Sequence, residues 1–92
     1  MIVQVSERAI DDLLEIVGRL ADISPPGAAA FVDSYERILD QLRDFPLLGQ
    51  ASDREPEMRV MRSGPYRFLY WVSVDRVILS RIIDGRSQAS LS

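Results

Sequence analysis

Three consecutive short strands close this chain, and they constrain the fold more than anything before them. Met58–Arg62, Tyr66–Ser73 and Arg76–Asp84 are β-branched, aromatic and apolar, broken by the turns Ser63-Gly64-Pro65 and Val74-Asp75. Side chains alternate across a strand, so Tyr66, Phe68, Tyr70 and Val72 share one face and Arg67, Leu69, Trp71 and Ser73 the other. In the last strand Ile78, Ser80 and Ile82 oppose Val77, Leu79, Arg81 and Ile83. Both faces of the meander are therefore apolar, yet the two helical segments before it can cover one face only. Strict alternation predicts Phe68, Tyr70, Ile78 and Ile82 beneath the helices and Leu69, Trp71, Leu79 and Arg81 uncovered. An apolar, arginine-bearing face without cover marks an interaction surface.

The helical segments are read from period and caps. Ile2-Val3-Gln4-Val5 is a short β-rich run, followed by Ser6 as an N-cap with Glu7, Asp11 and Asp12 near the positive end of the helix dipole. Ile10, Leu13, Leu14, Val17 and Leu20 make one apolar stripe, which Gly18 weakens without ending. Ser24 caps a second helix, Pro25 suits its first position, and the helix runs from about residue 26 to 43. Its stripe is Ala28, Phe31, Tyr35, Ile38, Leu39 and Leu42, so the pair reads as an α-hairpin. Phe45-Pro46-Leu47-Leu48-Gly49 ends it, and Gln50–Glu57 reads as a polar loop. With no repeat or linker, residues 1–92 form one small α+β domain in the order β-α-α-β-β-β.

Composition removes several functions. There is no cysteine, so neither a disulfide framework nor a thiolate metal site is available. Histidine is absent too, which removes the usual general base and the commonest metal ligand. No cofactor or metal is expected. The N-terminus lacks a basic, then apolar leader, and no stretch reaches the roughly 18 apolar residues of a membrane span, so a cytoplasmic protein is expected. The net charge is −3, whereas a chain that binds nucleic acid by itself is usually basic.

The charges are segregated. Residues 1–57 hold 12 of the 14 acids and five arginines, while residues 58–92 hold two acids and six arginines. All 11 positive charges are arginine. The guanidinium clamps carboxylate or phosphate well and moves protons poorly. Asp11-Asp12 reads as helix-dipole charge without matching metal ligands, and Asp53, Glu55 and Glu57 as a solvated loop. Tyr66 and Tyr70 read as sheet packing, and Trp71 as core or partner-covered rather than a base-stacking platform.

The order of these pieces resembles the RelE/ParE superfamily of type II toxins over residues 3–86. The carrying motifs are Val5-Ser6…Ala9…Asp12-Leu13…Ile16, Ser24-Pro25…Ala29…Phe31-Val32 and Leu42…Phe45-Pro46…Gly49. Further on come Arg59-Val60…Gly64-Pro65-Tyr66-Arg67-Phe68-Leu69-Tyr70 and Ile78…Arg81-Ile82-Ile83-Asp84-Gly85-Arg86. Asp84 stands where most relatives look to have histidine. The resemblance implies a stress-response toxin held in a hetero-oligomer by a cognate antitoxin. RelE-like members cut messenger RNA on the ribosome; here Arg59, Arg62, Arg81 and Arg86 would have to serve. RNA cleavage needs a base for the 2′-hydroxyl and an acid for the leaving oxygen. This chain offers neither lysine nor histidine, and its tail Ser87–Ser92 holds no aromatic residue. ParE-like members inhibit DNA gyrase and need no nuclease site, so that reading is favoured, with no enzyme activity and no sequence-specific nucleic-acid binding by the chain alone. A non-toxic antitoxin-binding module is the third reading, with Asp84 neutralising Arg86. The antitoxin tail is expected along the hairpin and across the open sheet face, on Arg59, Arg67, Leu69, Trp71, Leu79, Arg81 and Arg86.

Overall fold

The computed structural model describes residues 1–86. The elements are β1 (Ile2–Val5), α1 (Glu7–Ile23), α2 (Pro25–Asp44), β2 (Gln50–Ala51), β3 (Arg59–Ser63), β4 (Tyr66–Val72) and β5 (Arg76–Asp84). They build one five-stranded sheet in the order β1-β5-β4-β3-β2. The meander β3-β4-β5 is antiparallel, as the sequence predicts. Two features extend the expectation. β1 lies parallel to β5, Ile2 opposite Arg76 through Val5 opposite Leu79, a pairing that the α-hairpin makes possible as a crossover. The first residues of the expected loop form β2, two residues paired with β3.

Caps set both helices. The Ser6 hydroxyl accepts from the Ala9 N–H at 3.0 Å, and the Ser24 hydroxyl from the Gly27 N–H at 3.2 Å, with proline opening α2. Ala9 and Ile16 of α1 and Phe31, Ile38 and Leu42 of α2 are buried against Tyr66, Phe68, Tyr70, Val77, Leu79 and Ile82 of the sheet. Phe31 meets Tyr66 edge-on with ring centroids 4.7 Å apart and lies 6.2 Å from Phe68. Val3 and Val5 fill the β1 side of this core. Both helices lie on the same side of the sheet, which leaves its other face open.

One irregularity decides which residues are covered. Leu69 faces Arg81 and Tyr70 faces Leu79, so Ser80 is an extra residue in β5, a β-bulge. Side-chain direction switches there. Val77 and Leu79 before it, and Ile82 after it, all point to the helices and are fully or almost fully buried. The expectation that Leu79 is uncovered is wrong, and Ile78, expected beneath the helices, is only partly buried and pairs with outward Trp71. Strict alternation carries no allowance for an inserted residue. The β4 assignments, and Ile82, stand.

Candidate functional site

The open face of the sheet is apolar with arginine, as its sequence pattern requires. Ile2 and Trp71 are 64% and 44% exposed, and Val60, Leu69, Ile78 and Ile83 are partly exposed beside them. Cross-strand register places Arg62 directly opposite Arg67. Like charges facing each other across an antiparallel pair are destabilising. Both are exposed, and neither is within 4.0 Å of a carboxylate oxygen among the described residues. In a chain with 14 acids, this pair stays uncompensated on the one face where β1, β3, β4 and β5 contribute no acid.

The other arginines assigned to partners or catalysis are engaged within the chain. Arg81 meets Asp12 through two hydrogen bonds of 2.8 and 3.2 Å, and the Ile82 N–H donates to the same carboxylate at 2.9 Å. Asp12 is 9% exposed, so its role is not the dipole charge expected from sequence. It completes the β5 ladder where β1 has ended. The bond to Asp12 raises the pKa of Arg81 further, with burial opposing. Arg59 donates to the carbonyls of Gly49 at 2.7 Å and Leu47 at 3.3 Å, which fixes the turn after α2. The Gly49 N–H donates to the buried Tyr70 hydroxyl at 2.8 Å. Burial raises the Tyr70 pKa, against the pull of that bond and of the Arg59 charge.

Arg86 donates to Asp84 at 3.1 and 3.2 Å, and Arg19 lies 3.8 Å from the same carboxylate. The Arg86 bond lowers the Asp84 pKa first, with Arg19 adding to it. A shallow cleft of about 170 Å³ between α1 and β5 is lined by these paired groups, Asp12, Arg19, Arg81 and Asp84 among them. The structure therefore brings Arg67, Leu69 and Trp71 together on the open face, buries Leu79, and holds Arg59, Arg81 and Arg86 on internal oxygens. Of the four arginines in the nuclease alternative, Arg62 alone makes no such contact among the described residues. Among the described residues, no group of three histidine, cysteine or acidic side chains could hold a metal, and no helix is long and apolar enough to cross a membrane. Asp12 is the contributor sequence reasoning missed. The stripe expected for α1 puts Asp12 on its polar side, whereas the structure turns the helix to bury Ala9, Asp12 and Ile16 and leaves Ile10 and Leu14 exposed.

Residues 3–89 match the family model described as the ParE toxin of the type II toxin–antitoxin system parDE. Toxin ParE3 of Caulobacter vibrioides is 35% identical over 60 residues, which span 64% of this chain and 60% of that protein. Among solved structures, the chromosomal ParDE toxin–antitoxin system from P. aeruginosa superposes with a TM-score of 0.79 at 20% identity, covering 91% of this chain and 95% of that one. The toxin–antitoxin complex RelBE2 from Mycobacterium tuberculosis superposes at 0.61 and 24% identity, covering 90% and 95%. The strand–hairpin–meander fold is thus shared with both.

Proposed function

This chain belongs to the ParE toxin family of type II toxin–antitoxin systems, and from that premise we propose that it inhibits DNA gyrase rather than cutting RNA. As a single cytoplasmic domain over residues 1–92, it is neutralised in a hetero-oligomer with a cognate antitoxin. The observation that carries the inhibitor reading is the internal engagement of the arginines. Arg59, Arg81 and Arg86 are held by Gly49, Asp12 and Asp84, so a nuclease would have to break these contacts before placing a guanidinium on phosphate. Nor is there a histidine or lysine to move a proton. The antitoxin tail lies along the α1–α2 hairpin and crosses the open face, with apolar anchors on Leu69 and Trp71 and a carboxylate on Arg67, joined there by Arg62. Leu79, buried, is not among its anchors.

Two assays on purified protein test this. A supercoiling assay with DNA gyrase is expected to show dose-dependent inhibition, relieved by the antitoxin. A ribosome-dependent assay is expected to leave messenger RNA intact. Site-specific cuts in the A-site codon, with gyrase unaffected, refute the reading and return the arginines to catalysis.

A further inference from the structure

A sheet edge with unpaired N–H and C=O groups recruits strands from other chains, and short edge strands or charged edge residues blunt it. Among the described residues, most of the edge here is blunted in those two ways. The outermost strands β1 and β2 have four and two residues. Beyond β2, β3 shows only Met61, Arg62 and Ser63, with an exposed arginine at the middle. The second half of β5 is different. β1 follows β5 only as far as Leu79, so the five residues Ser80–Asp84 have no neighbouring strand on that side. The segment is also prone to pair. Val77–Ile83 holds five of valine, isoleucine and leucine in seven residues, one charge, and no proline or glycine. That is the composition of segments that stack into intermolecular sheets.

Helix α1 and its cap cover this stretch with side chains in place of a strand. The Ser6 hydroxyl donates to the Ser80 carbonyl at 2.9 Å, Asp12 accepts the Ile82 N–H at 2.9 Å, and Arg19 lies 3.8 Å from the Asp84 carboxylate. Two of the backbone groups that a further strand would need are therefore taken. Asp12 does more than occupy a donor. It is a charged residue only 9% exposed, aimed at the edge and held there by Arg81 at 2.8 and 3.2 Å. A strand arriving at Ile82 has to pull this carboxylate from its donors and set its own carbonyls beside the displaced charge. Charges pointing inward at an edge are a further way in which natural sheets resist pairing.

We infer that Asp12, with Ser6 beside it, is an edge guard that keeps the second half of β5 from pairing with the same stretch of a second copy of this chain. The inference does not depend on what the toxin inhibits. The test compares Asp12→Ala, Asp12→Asn and Arg81→Met with Gly49→Ala, which is destabilised beside Tyr70 and Val60, away from the guarded stretch. Each is held well below its melting temperature, dilute enough that wild type is monomeric. Light scattering, thioflavin T and the infrared band of intermolecular sheet follow assembly. Asp12→Ala should assemble at least about tenfold faster than Gly49→Ala, the scale of one lost hydrogen bond to a charged acceptor. Hydrogen exchange on the assemblies should find the Ile82 amide protected by its new partner. Arg81→Met keeps the carboxylate on the Ile82 N–H and should stay as monomeric as wild type. Equal rates for Asp12→Ala and Gly49→Ala overturn the inference, since instability alone then accounts for assembly. An Ile82 amide that exchanges freely in the assemblies overturns it too. Should Asp12→Ala fail to fold, Asp12→Asn carries the test. It keeps an acceptor, loses the charge and should assemble faster than Arg81→Met; parity between those two overturns the inference.

Discussion

Asp12→Ala should be among the most damaging single changes in this chain. The carboxylate is 9% exposed and does two separate jobs. It accepts the Ile82 N–H at 2.9 Å, and it takes two donors from Arg81 at 2.8 and 3.2 Å. Removing it orphans a backbone donor on the β5 strand, at a cost of about 1–3 kcal/mol. The Arg81 side chain is 36% exposed, so water screens the lost ion pair, which adds no more than about 1 kcal/mol. The sum is about 1–4 kcal/mol. For a domain of this size, stability is expected near 5–14 kcal/mol, so a loss in the middle of the summed range, about 2.5 kcal/mol, removes roughly a quarter of a mid-range stability. At roughly 4–8 °C per kcal/mol, a loss of about 2.5 kcal/mol lowers the melting temperature by about 10–20 °C. Asp12→Asn keeps a carbonyl for Ile82 and should cost about half as much. Arg81→Met leaves the carboxylate with the Ile82 N–H and should fall between them. Urea denaturation of the three variants and the double variant Asp12→Ala, Arg81→Met gives the coupling directly. An Asp12→Ala protein within about 0.5 kcal/mol of wild type would refute the bridging role.

Other outcomes are expected. Gly49→Ala should destabilise the fold by about 1–3 kcal/mol, because its Cβ would sit 2.7 Å from the Tyr70 hydroxyl and must displace it; urea melts check this. The Asp84 pKa is lowered in the fold by Arg86, so its contribution is complete above the unfolded carboxylate value near 3.8 and is lost as pH falls through the lower folded value. Asp84→Asn should therefore flatten the acid limb of a stability–pH profile below about pH 4 and leave its neutral region comparatively unchanged in slope. Trp71→Ala should weaken antitoxin binding by about 2 kcal/mol or more, and Arg67→Ala should slow association and lessen its salt dependence; wild-type kinetics in both folded variants would place the tail elsewhere. The chain alone should self-associate at high concentration, and a monodisperse monomer by light scattering would count against the open-face argument.

Much of the fold was legible because its signals were local. Ser6 and Ser24 announce their caps, the stripes of α1 and α2 have helical period, and Tyr66–Val72 has almost no other conformation open to it. The open face followed from counting layers. What stayed hidden was long-range. Nothing near Gln50 or Ile2 in sequence says which strand each will pair with. The bulge at Ser80 is likewise invisible, because an inserted residue leaves the composition of β5 unchanged while reversing its pattern. That one residue misplaced Leu79 and Ile78. The site suffered for a similar reason. Arginines were counted as available because their partners, Asp12 for Arg81 and the Gly49 carbonyl for Arg59, lie 69 and 10 residues away. Only Arg86, two residues from Asp84, showed its partner in the sequence.

The bulge also explains how a chain with so few elements sorts its arginines. Without Ser80 as an extra residue, β5 would alternate strictly, and Arg81 would share the helix side with Val77 and Leu79. An arginine there would lose water among the core side chains with no room to reach it. Inserting Ser80 carries Arg81 past the core, and Ile82 takes the buried place opposite Phe68. The insertion leaves the Ser80 carbonyl at the edge where β1 ends, and the Ser6 hydroxyl donates to it at 2.9 Å while capping α1 through the Ala9 N–H. Two residues further along β5, Asp12 of the same helix takes the Ile82 N–H and the Arg81 fork. The first two turns of α1 thus stand in for the strand that β1 is too short to supply. Arg81 is consumed in that repair, as Arg59 is consumed in fixing the turn after α2. Arg62 and Arg67 are left facing each other across the hairpin, on the open face, where like charge has no structural benefit within the chain and would gain one from the acidic tail proposed above.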